Sequence, residues 1–536
     1  MAQTKVEDDI HVERLELANT EDPQKPTFTR THADELSIWQ SLRQNKLLAL
    51  IAMAAAFSAS LEGYQINLNG GLVSNKGFIR QMASPGTKII KGKYVSAWGG
   101  IQSAGQTIGQ ILLQYVTDGF GRKIALYVIW VVLVVSVLIE CFATHWYHWL
   151  VAKLFAGMGV GMLQSTLPLY LAEISPTQLK GLFINAYTFW FVLGQLFASV
   201  ALNRLHLSAP YDFRTPIYSQ WAMIGVSAII FVFLPETPWY LVSKGKLDQA
   251  KKVLTKMHGR KQGYDSQEQV QDLMMSTIAS ERAAAEQNSE LGPWAVFQGK
   301  NLLRFIIAAW PKITQQLVGL TVFNTYATYF FQKAGNKDPF LVTLILSCVQ
   351  LISMIMTAIS TDKLGRRPLT VYPYAITVLS LLSLGIVGCF DYSKPALSSL
   401  LIFFACLATF STTGASAIGY AYAAEIPQQR LRARTTAFAL AFSNMVAIMF
   451  SFTTPLMING DAQWGVKTGF FFAGTGAVAV VICWFILPEV ACRTPAEIDE
   501  MYVFWRNCTR VDTDMMDRFE KKVSLRKFKQ YSPSNY

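Results

Sequence analysis

Charge is scarce in this chain. Only 15% of its 536 residues are Asp, Glu, Lys or Arg, against roughly 25% in a soluble domain. The shortage is uneven. Charges gather in the first 46 residues, in 236–304, after 488 and in short clusters between apolar runs. That distribution excludes a soluble globular domain and describes a polytopic membrane protein. Cysteine is sparse too. Cys141, Cys348, Cys389, Cys406 and Cys483 fall in or at the edge of apolar runs, Cys492 and Cys508 lie after them, and none has metal-ligand spacing. They read as small apolar fillers rather than a disulfide framework. The six histidines form no HExxH or other paired arrangement, so no metal site is expected. No nucleophile–base set or phosphate loop is visible, which argues against an enzyme and against a bound cofactor. The net charge of +12 comes without a long basic tract interleaved with aromatics. It reads as loop charge that stays on the cytoplasmic side of a bilayer, not as a nucleic-acid surface. The first 45 residues lack an early apolar core. This excludes a cleaved signal peptide and predicts a disordered cytoplasmic tail.

What the chain does have is a repeat. Asp118-Gly-Phe-Gly-Arg122-Lys123 returns as Asp362-Lys-Leu-Gly-Arg366-Arg367. Glu173-Ile-Ser-Pro176 with Lys180 returns as Glu425-Ile-Pro427 with Arg432, and Leu234-Pro235-Glu236 returns as Leu487-Pro488-Glu489. Three motifs keep one order at nearly one offset, about half the chain. Each ends an apolar run, so the two copies are membrane-embedded halves. Parallel repeats of this kind build carriers with a substrate site between the halves.

A span needs about 20 mostly apolar residues. Twelve candidates are present: 47–73, 94–117, 124–143, 148–172, 182–203 and 217–235, then 303–331, 340–361, 369–390, 397–423, 437–459 and 468–488. The expected organisation is a tail over 1–46, a six-helix half over 47–235, a cytoplasmic linker over 236–302, a second half over 303–488 and a tail over 489–536. The fold class is therefore an all-α membrane protein with twelve transmembrane helices in two pseudo-symmetric halves. An even count places both termini on one side. The clusters at Arg122/Lys123, Lys180, Arg366/Arg367 and Arg430/Arg432/Arg434 make that side cytoplasmic. The basic segment 74–93 runs against this bias. In the linker, Leu247–Met257 and Glu268–Gln287 have amphipathic helical spacing and are expected to lie on the membrane face and tie the halves together.

The repeated polar residues suit a gate. Glycines at 119 and 121 permit a tight turn, after which acids and bases at helix ends can pair. Partly buried ion pairs hold in one conformation and break in another. The expected cytoplasmic latch comprises Asp118, Arg122, Glu173, Lys180 and Glu236, with Asp362, Arg366, Glu425, Arg432 and Glu489 as its second copy.

Side-chain amides at mid-span need a reason, because a buried amide is costly unless satisfied. Gln195, Gln315, Gln316, Asn324, Gln350 and Asn444 are such residues. Amides donate and accept without charge, which matches the hydroxyls of a sugar, and aromatic faces suit its apolar side.

The motifs resemble the major facilitator superfamily and, within it, the sugar porter family, over about residues 47–500. Gln315-Gln316-Leu-Val-Gly319 resembles the seventh-helix motif. Pro168-Leu-Tyr170-Leu-Ala-Glu173-Ile-Ser-Pro176 resembles the fourth-helix end, Pro235-Glu236-Thr237-Pro238-Trp239-Tyr240-Leu241 the sixth, and Pro488-Glu489 with Arg493-Thr494 and Glu497-Ile498-Asp499 the twelfth. Leu61-Glu62-Gly63-Tyr64 and Tyr326-Ala-Thr328-Tyr329-Phe330-Phe331 are similar to the fungal maltose and α-glucoside permease branch. The resemblance implies that Gln315 and Gln316 contact sugar. It also implies that Gln350 stands where relatives carry a sugar-binding asparagine, and that Tyr420 is an aromatic over the sugar. Thr188 and Thr321 depart from the amides common in monosaccharide porters.

Coupling is open at this level. Proton-coupled relatives carry an aspartate at the position of Gln65 and often an arginine at that of Lys153. Glu62 matches a glutamate of the α-glucoside branch and lies one helical turn from Gln65. Facing Lys153, it would be a protonation switch, a static pair or a substrate ligand. The resemblance implies a monomeric carrier of a hexose or α-glucoside in the plasma membrane, either facilitative or coupled to protons. The alternatives are a carrier of a polyol, quinate-like acid or secondary metabolite, and a non-transporting sugar sensor.

Overall fold

The computed structural model describes residues 42–43, 45–83, 90–175, 179–258, 296–297, 299–336, 338–390, 395–427, 432–459 and 464–490. Among them there are helices and no strands. The first group comprises α1 (Lys46–Phe57), α2 (Ala59–Leu72), α3 (Lys76–Met82), α4 (Gly92–Phe120), α5 (Arg122–Phe142), α6 (Trp146–Ile174), α7 (Lys180–Ser208) and α8 (Arg214–Phe233). Two short helices follow, α9 (Pro238–Ser243) and α10 (Leu247–His258). The second group comprises α11 (Gly299–Leu317), α12 (Leu320–Asn324), α13 (Ala327–Lys333), α14 (Pro339–Leu364), α15 (Arg366–Val387), α16 (Pro395–Glu425), α17 (Arg432–Asn459) and α18 (Thr468–Ile486).

Ten helices among the described residues are long and apolar enough to cross a bilayer, counting α1 and α2 as one. The two expected spans outside that set, 94–117 and 303–331, are α4 and the run α11–α13. Both are helical, and both carry the polar residues that line the site described below. The expected seventh span is not one helix. Gly319 adopts φ +76°, a left-handed conformation that an L side chain rarely takes, and α11 stops there. The chain breaks again at Thr325 and Tyr326, whose amides both donate to the Thr321 carbonyl at 3.1 Å.

Membrane helices cannot use hydrophobic burial to find each other, so close backbone approach takes its place. Gly105 and Gly109 on α4 face Gly157 and Gly161 on α6. A Cβ added at any of the four would come within 2.1–2.4 Å of a backbone oxygen on the other helix. The two groups meet along α4 with α17 and along α7 with α14. One apolar cluster joins them and holds Leu68, Trp98, Tyr326, Phe331, Phe340 and Phe450. A second lies within the first group, around Ala52, Leu126, Leu163 and Phe183.

α3 had no clear sequence signal, whereas α10 covers the expected amphipathic helix Leu247–Met257. α3 is capped by Asn75, whose side chain accepts the Gly77 and Phe78 amides at 2.8 and 3.3 Å. Phe78 then packs edge-on against Trp98, Trp149 and Phe213. The basic residues Lys76 and Arg80 stay exposed. α10 buries Ala250 and Leu254 against Leu241 and Val242 of α9 and touches α1. Its apolar face is thus spent on the first group. The expected helix Glu268–Gln287 and all but the inner ends of both tails lie outside the described residues.

Candidate functional site

The duplicated motifs fold into duplicated contacts. Gly121 and Gly365 turn the chain in the left-handed region, at φ +99° and +85°, immediately before α5 and α15. The first amides of those helices have no partner within the helix. Glu236 accepts the Arg122 and Lys123 amides at 2.9 and 3.1 Å. Glu489 accepts those of Arg366 and Arg367 at 2.9 and 3.0 Å. A carboxylate at a helix N-terminus is favoured by charge and geometry together. The hydroxyls of Tyr170 and Tyr422 donate to the Pro235 and Pro488 carbonyls, each at 2.9 Å. In the first copy Arg122 Nη2 also meets Glu173 Oε1 at 2.8 Å, with both side chains mostly covered. The side chains of Asp118, Lys180, Asp362, Glu425 and Arg432 lie outside the described set.

A cavity of about 120 Å³ lies between the two groups of helices. All eight expected substrate residues are on its wall: Gln195, Gln315, Gln316, Thr321, Asn324, Gln350, Tyr420 and Asn444. Thr188 is there too. Helices α2, α4, α6 and α7 supply one side, and α11, α12, α14, α16 and α17 the other. Gln195 donates to Asn324 across the gap. Three buried polar atoms on the wall have no hydrogen-bond partner within the protein: Gln350 Oε1, Asn444 Nδ2 and Thr188 Oγ1. One is an acceptor, one a donor and one both, which is the complement of a hydroxylated ligand.

Sequence reasoning missed part of this wall. Gln102, Gln106 and Gln164 line it. Gln102, Gln106, Gln110 and Gln114 recur every fourth residue and so share one face of α4. That amide stripe was a readable signal. Gln102 accepts from Asn69 at 2.7 Å, and Gln110 donates to Gln164 at 3.0 Å. Lys312 and Tyr187 were missed as well. Lys312 Nζ sits 3.3 Å from the centroid of the Tyr420 ring and donates to Gln315 Oε1 at 3.0 Å.

The expected facing of Glu62 and Lys153 is overturned. Lys153 pairs instead with Glu140 on α5, at 2.8 Å, and both side chains are fully buried. Gln220 donates to the other oxygen of Glu140 at 3.1 Å, and Lys153 reaches Gln65 Oε1 at 3.4 Å. Glu62 is turned away from this cluster. Its oxygens accept from Gln164 Nε2 at 2.8 Å and from the Tyr187 hydroxyl at 2.9 Å. The reason is register along α2. Residues three apart share a side of a helix only loosely, and here Gln65 meets α6 near Lys153 while Glu62 meets α6 eleven positions further on, at Gln164.

Two groups of membrane-crossing helices around a central polar cavity define a membrane carrier of the major facilitator fold. Residues 51–502 match the family model described as Sugar (and other) transporter, and the chain belongs to that family. Among characterised relatives, the major facilitator-type transporter ecdD of Aspergillus rugulosus is 27% identical, covering 85% of this chain and 87% of its own. The high glucose sensor RGT2 of Saccharomyces cerevisiae is 24% identical, covering 92% of this chain and 66% of its own. The general alpha-glucoside permease of Saccharomyces cerevisiae is 27% identical, covering 87% and 77%. The solved structure of the proton:xylose symporter XylE bound to 6-bromo-6-deoxy-D-glucose shares the fold. It superposes with a TM-score of 0.71 at 20% identity, covering 86% of this chain and all of that one.

Proposed function

We propose that this chain is a monomeric carrier that moves a sugar, of hexose or α-glucoside class, across the plasma membrane by alternating access. The observation that carries the reading is the amide wall. Nine amide side chains from both groups of helices face one cavity. Two of them, Gln350 and Asn444, hold a free acceptor and a free donor there. Buried amides left in this state favour a hydroxylated ligand that completes them. A single chain supplies the whole wall, which supports a monomer. The basic pairs at the starts of α5 and α15 support cytoplasmic termini.

Hydrogen bonds between the two groups cluster on the side of the cavity away from those turns. Ser199 meets Ser347 at 2.7 Å, Ser103 meets Ser451 at 2.9 Å, and Tyr326 donates to the Ser451 carbonyl at 3.1 Å. These are small, breakable contacts of the kind an outer gate would use. Glu62 is the group we assign to proton coupling. It stands one side chain behind the wall, reached through Gln164 and Tyr187, whereas Glu140 is held by Lys153. Intramembrane carboxylates that gain and lose a proton are the usual coupling device. Uptake should then rise as the external pH falls and collapse with uncoupler. Glu62→Gln should lose both responses while retaining exchange of internal for external sugar. Uptake by the parent that ignores pH and uncoupler removes the coupling assignment.

Growth and radiolabelled uptake in cells lacking sugar carriers test the main reading, with glucose, maltose, longer glucosides and polyols. Gln316→Ala should lower uptake about tenfold, the worth of one or two ligand hydrogen bonds, at unchanged surface level. Undiminished uptake takes Gln316 out of the site.

A further inference from the structure

We infer that the preferred substrate carries a carboxylate as well as hydroxyls, a sugar acid held at its charged end by Lys312. The inference rests on the proposal that this cavity is the sugar-transport site, and it goes beyond the neutral hexose or α-glucoside named there to the corresponding acid.

Lys312 is 4% exposed, and its side chain lines the cavity. An ammonium taken out of water is costly unless an opposite charge compensates it. Lys153, another buried cation, obeys that rule, with Glu140 at 2.8 Å. Lys312 does not. Among the described residues no carboxylate comes within 4.0 Å of it. Its polar contacts are neutral: Gln315 Oε1 at 3.0 Å and a long approach of 3.5 Å to Ser416 Oγ. Glu62 does not fill the role. It is off the cavity wall, and both its oxygens are engaged by Gln164 and Tyr187. Tyr187, which holds Glu62, and Tyr420, which lies beneath the ammonium, meet edge-on at 5.7 Å, so the carboxylate acts on the lysine only at longer range.

The lysine is nonetheless firmly seated. Its own carbonyl accepts from Ser443 Oγ at 2.8 Å, which ties α11 to α17. A Cβ on Gly419 would press on the lysine stem at 3.3–3.5 Å, so the glycine leaves room for it. The next residue, Tyr420, supplies the ring beneath the ammonium. Backbone, stem and head group are thus each provided for, and what is missing among the described residues is a carboxylate in contact with the ammonium. A neutral sugar hydroxyl supplies a hydrogen bond but no charge, whereas a carboxylate supplies both. One lysine, with no arginine on the wall, matches a single negative charge better than a phosphate dianion. Gln350 and Asn444 on the same wall remain for the hydroxyls.

The test uses the full chain in proteoliposomes, with binding and counterflow measured for gluconate, glucuronate, glucose, maltose and glucose 6-phosphate. The expected result is that the two sugar acids exchange and displace one another, and that glucose and maltose compete at least about tenfold more weakly. Lys312→Met should lower the ratio of acid to neutral-sugar affinity about tenfold, and Lys312→Arg should largely restore it. Glucose or maltose carried without competition from either acid overturns the inference while leaving sugar transport standing. So does preference for the phosphate. If Lys312→Met does not fold, competition in the parent chain decides alone. A folded parent that exchanges none of the five compounds overturns both this inference and the sugar reading beneath it.

Discussion

Lys153→Met, with Glu140 left in place, is expected to destabilise the folded chain by about 3–5 kcal/mol, the usual effect of stranding one buried charge. The pair is the most deeply buried ionic contact among the described residues, with both side chains at 0% exposure and 2.8 Å between them. It also joins four helices. Lys153 lies on α6 above the Trp149 ring at 4.6 Å and reaches Gln65 on α2. Glu140 lies on α5 and accepts from Gln220 on α8. Removing the lysine leaves a carboxylate with one amide donor in a site that excludes water. Removing both charges is different, because two desolvation costs vanish with the attraction. Glu140→Leu combined with Lys153→Met should therefore recover most of the loss. Thermal unfolding in detergent measures both. A single variant as stable as its parent, or a double variant worse than the single one, contradicts this account.

Gly70→Trp should abolish uptake without preventing folding. Gly70 lies near the end of α2, where it abuts the break between α12 and α13. A Cβ there would stand 1.5 Å from the Thr325 carbonyl oxygen. No rotamer relieves a clash that begins at Cβ. The chain can relieve it by parting the two groups of helices on this side, where Ser103–Ser451 and Ser199–Ser347 now meet. Overpacking of this kind costs about 3 kcal/mol, enough to deplete the closed state roughly a hundredfold. A cysteine at Ser103 should then react quickly with an impermeant thiol reagent applied from outside, and slowly in the parent background. Gly225→Leu is the control, since a Cβ at Gly225 meets nothing within 4 Å. Retained uptake, or labelling that does not change, means that these ends do not form a gate.

The repeat and the mid-span amides were legible because they are local. Apolar runs, turn glycines and an amide in a span can each be read without knowing what lies across from them. So the eight amide, threonine and tyrosine positions named from sequence all reach one cavity. The seventh span was read as one helix because its hydropathy is continuous, and only the conformation of Gly319 reveals the break. Glu140, one acid in an otherwise apolar run, Val137-Leu-Ile-Glu140-Cys-Phe142, is a readable signal too, but nothing local names its partner. Lys312 lies three residues before the Gln315-Gln316-Leu-Val-Gly319 motif, and its position alone does not say that its head group enters the cavity.

By itself, the sequence determined that this is a membrane protein of two related halves and where its hydroxyl-matching residues are. The tertiary structure decided who pairs with whom. It gave Lys153 to Glu140 rather than Glu62, turned Glu236 and Glu489 into caps for helix amides, and left Lys312 facing the cavity with no carboxylate in contact among the described residues. The physical reason is that a polar stripe, such as the amides of α4, says which face of a helix looks inward but not which residue of another helix stands opposite it. In such helices the partner of a buried charge is set by contacts between distant segments, and those exist only once the helices have packed.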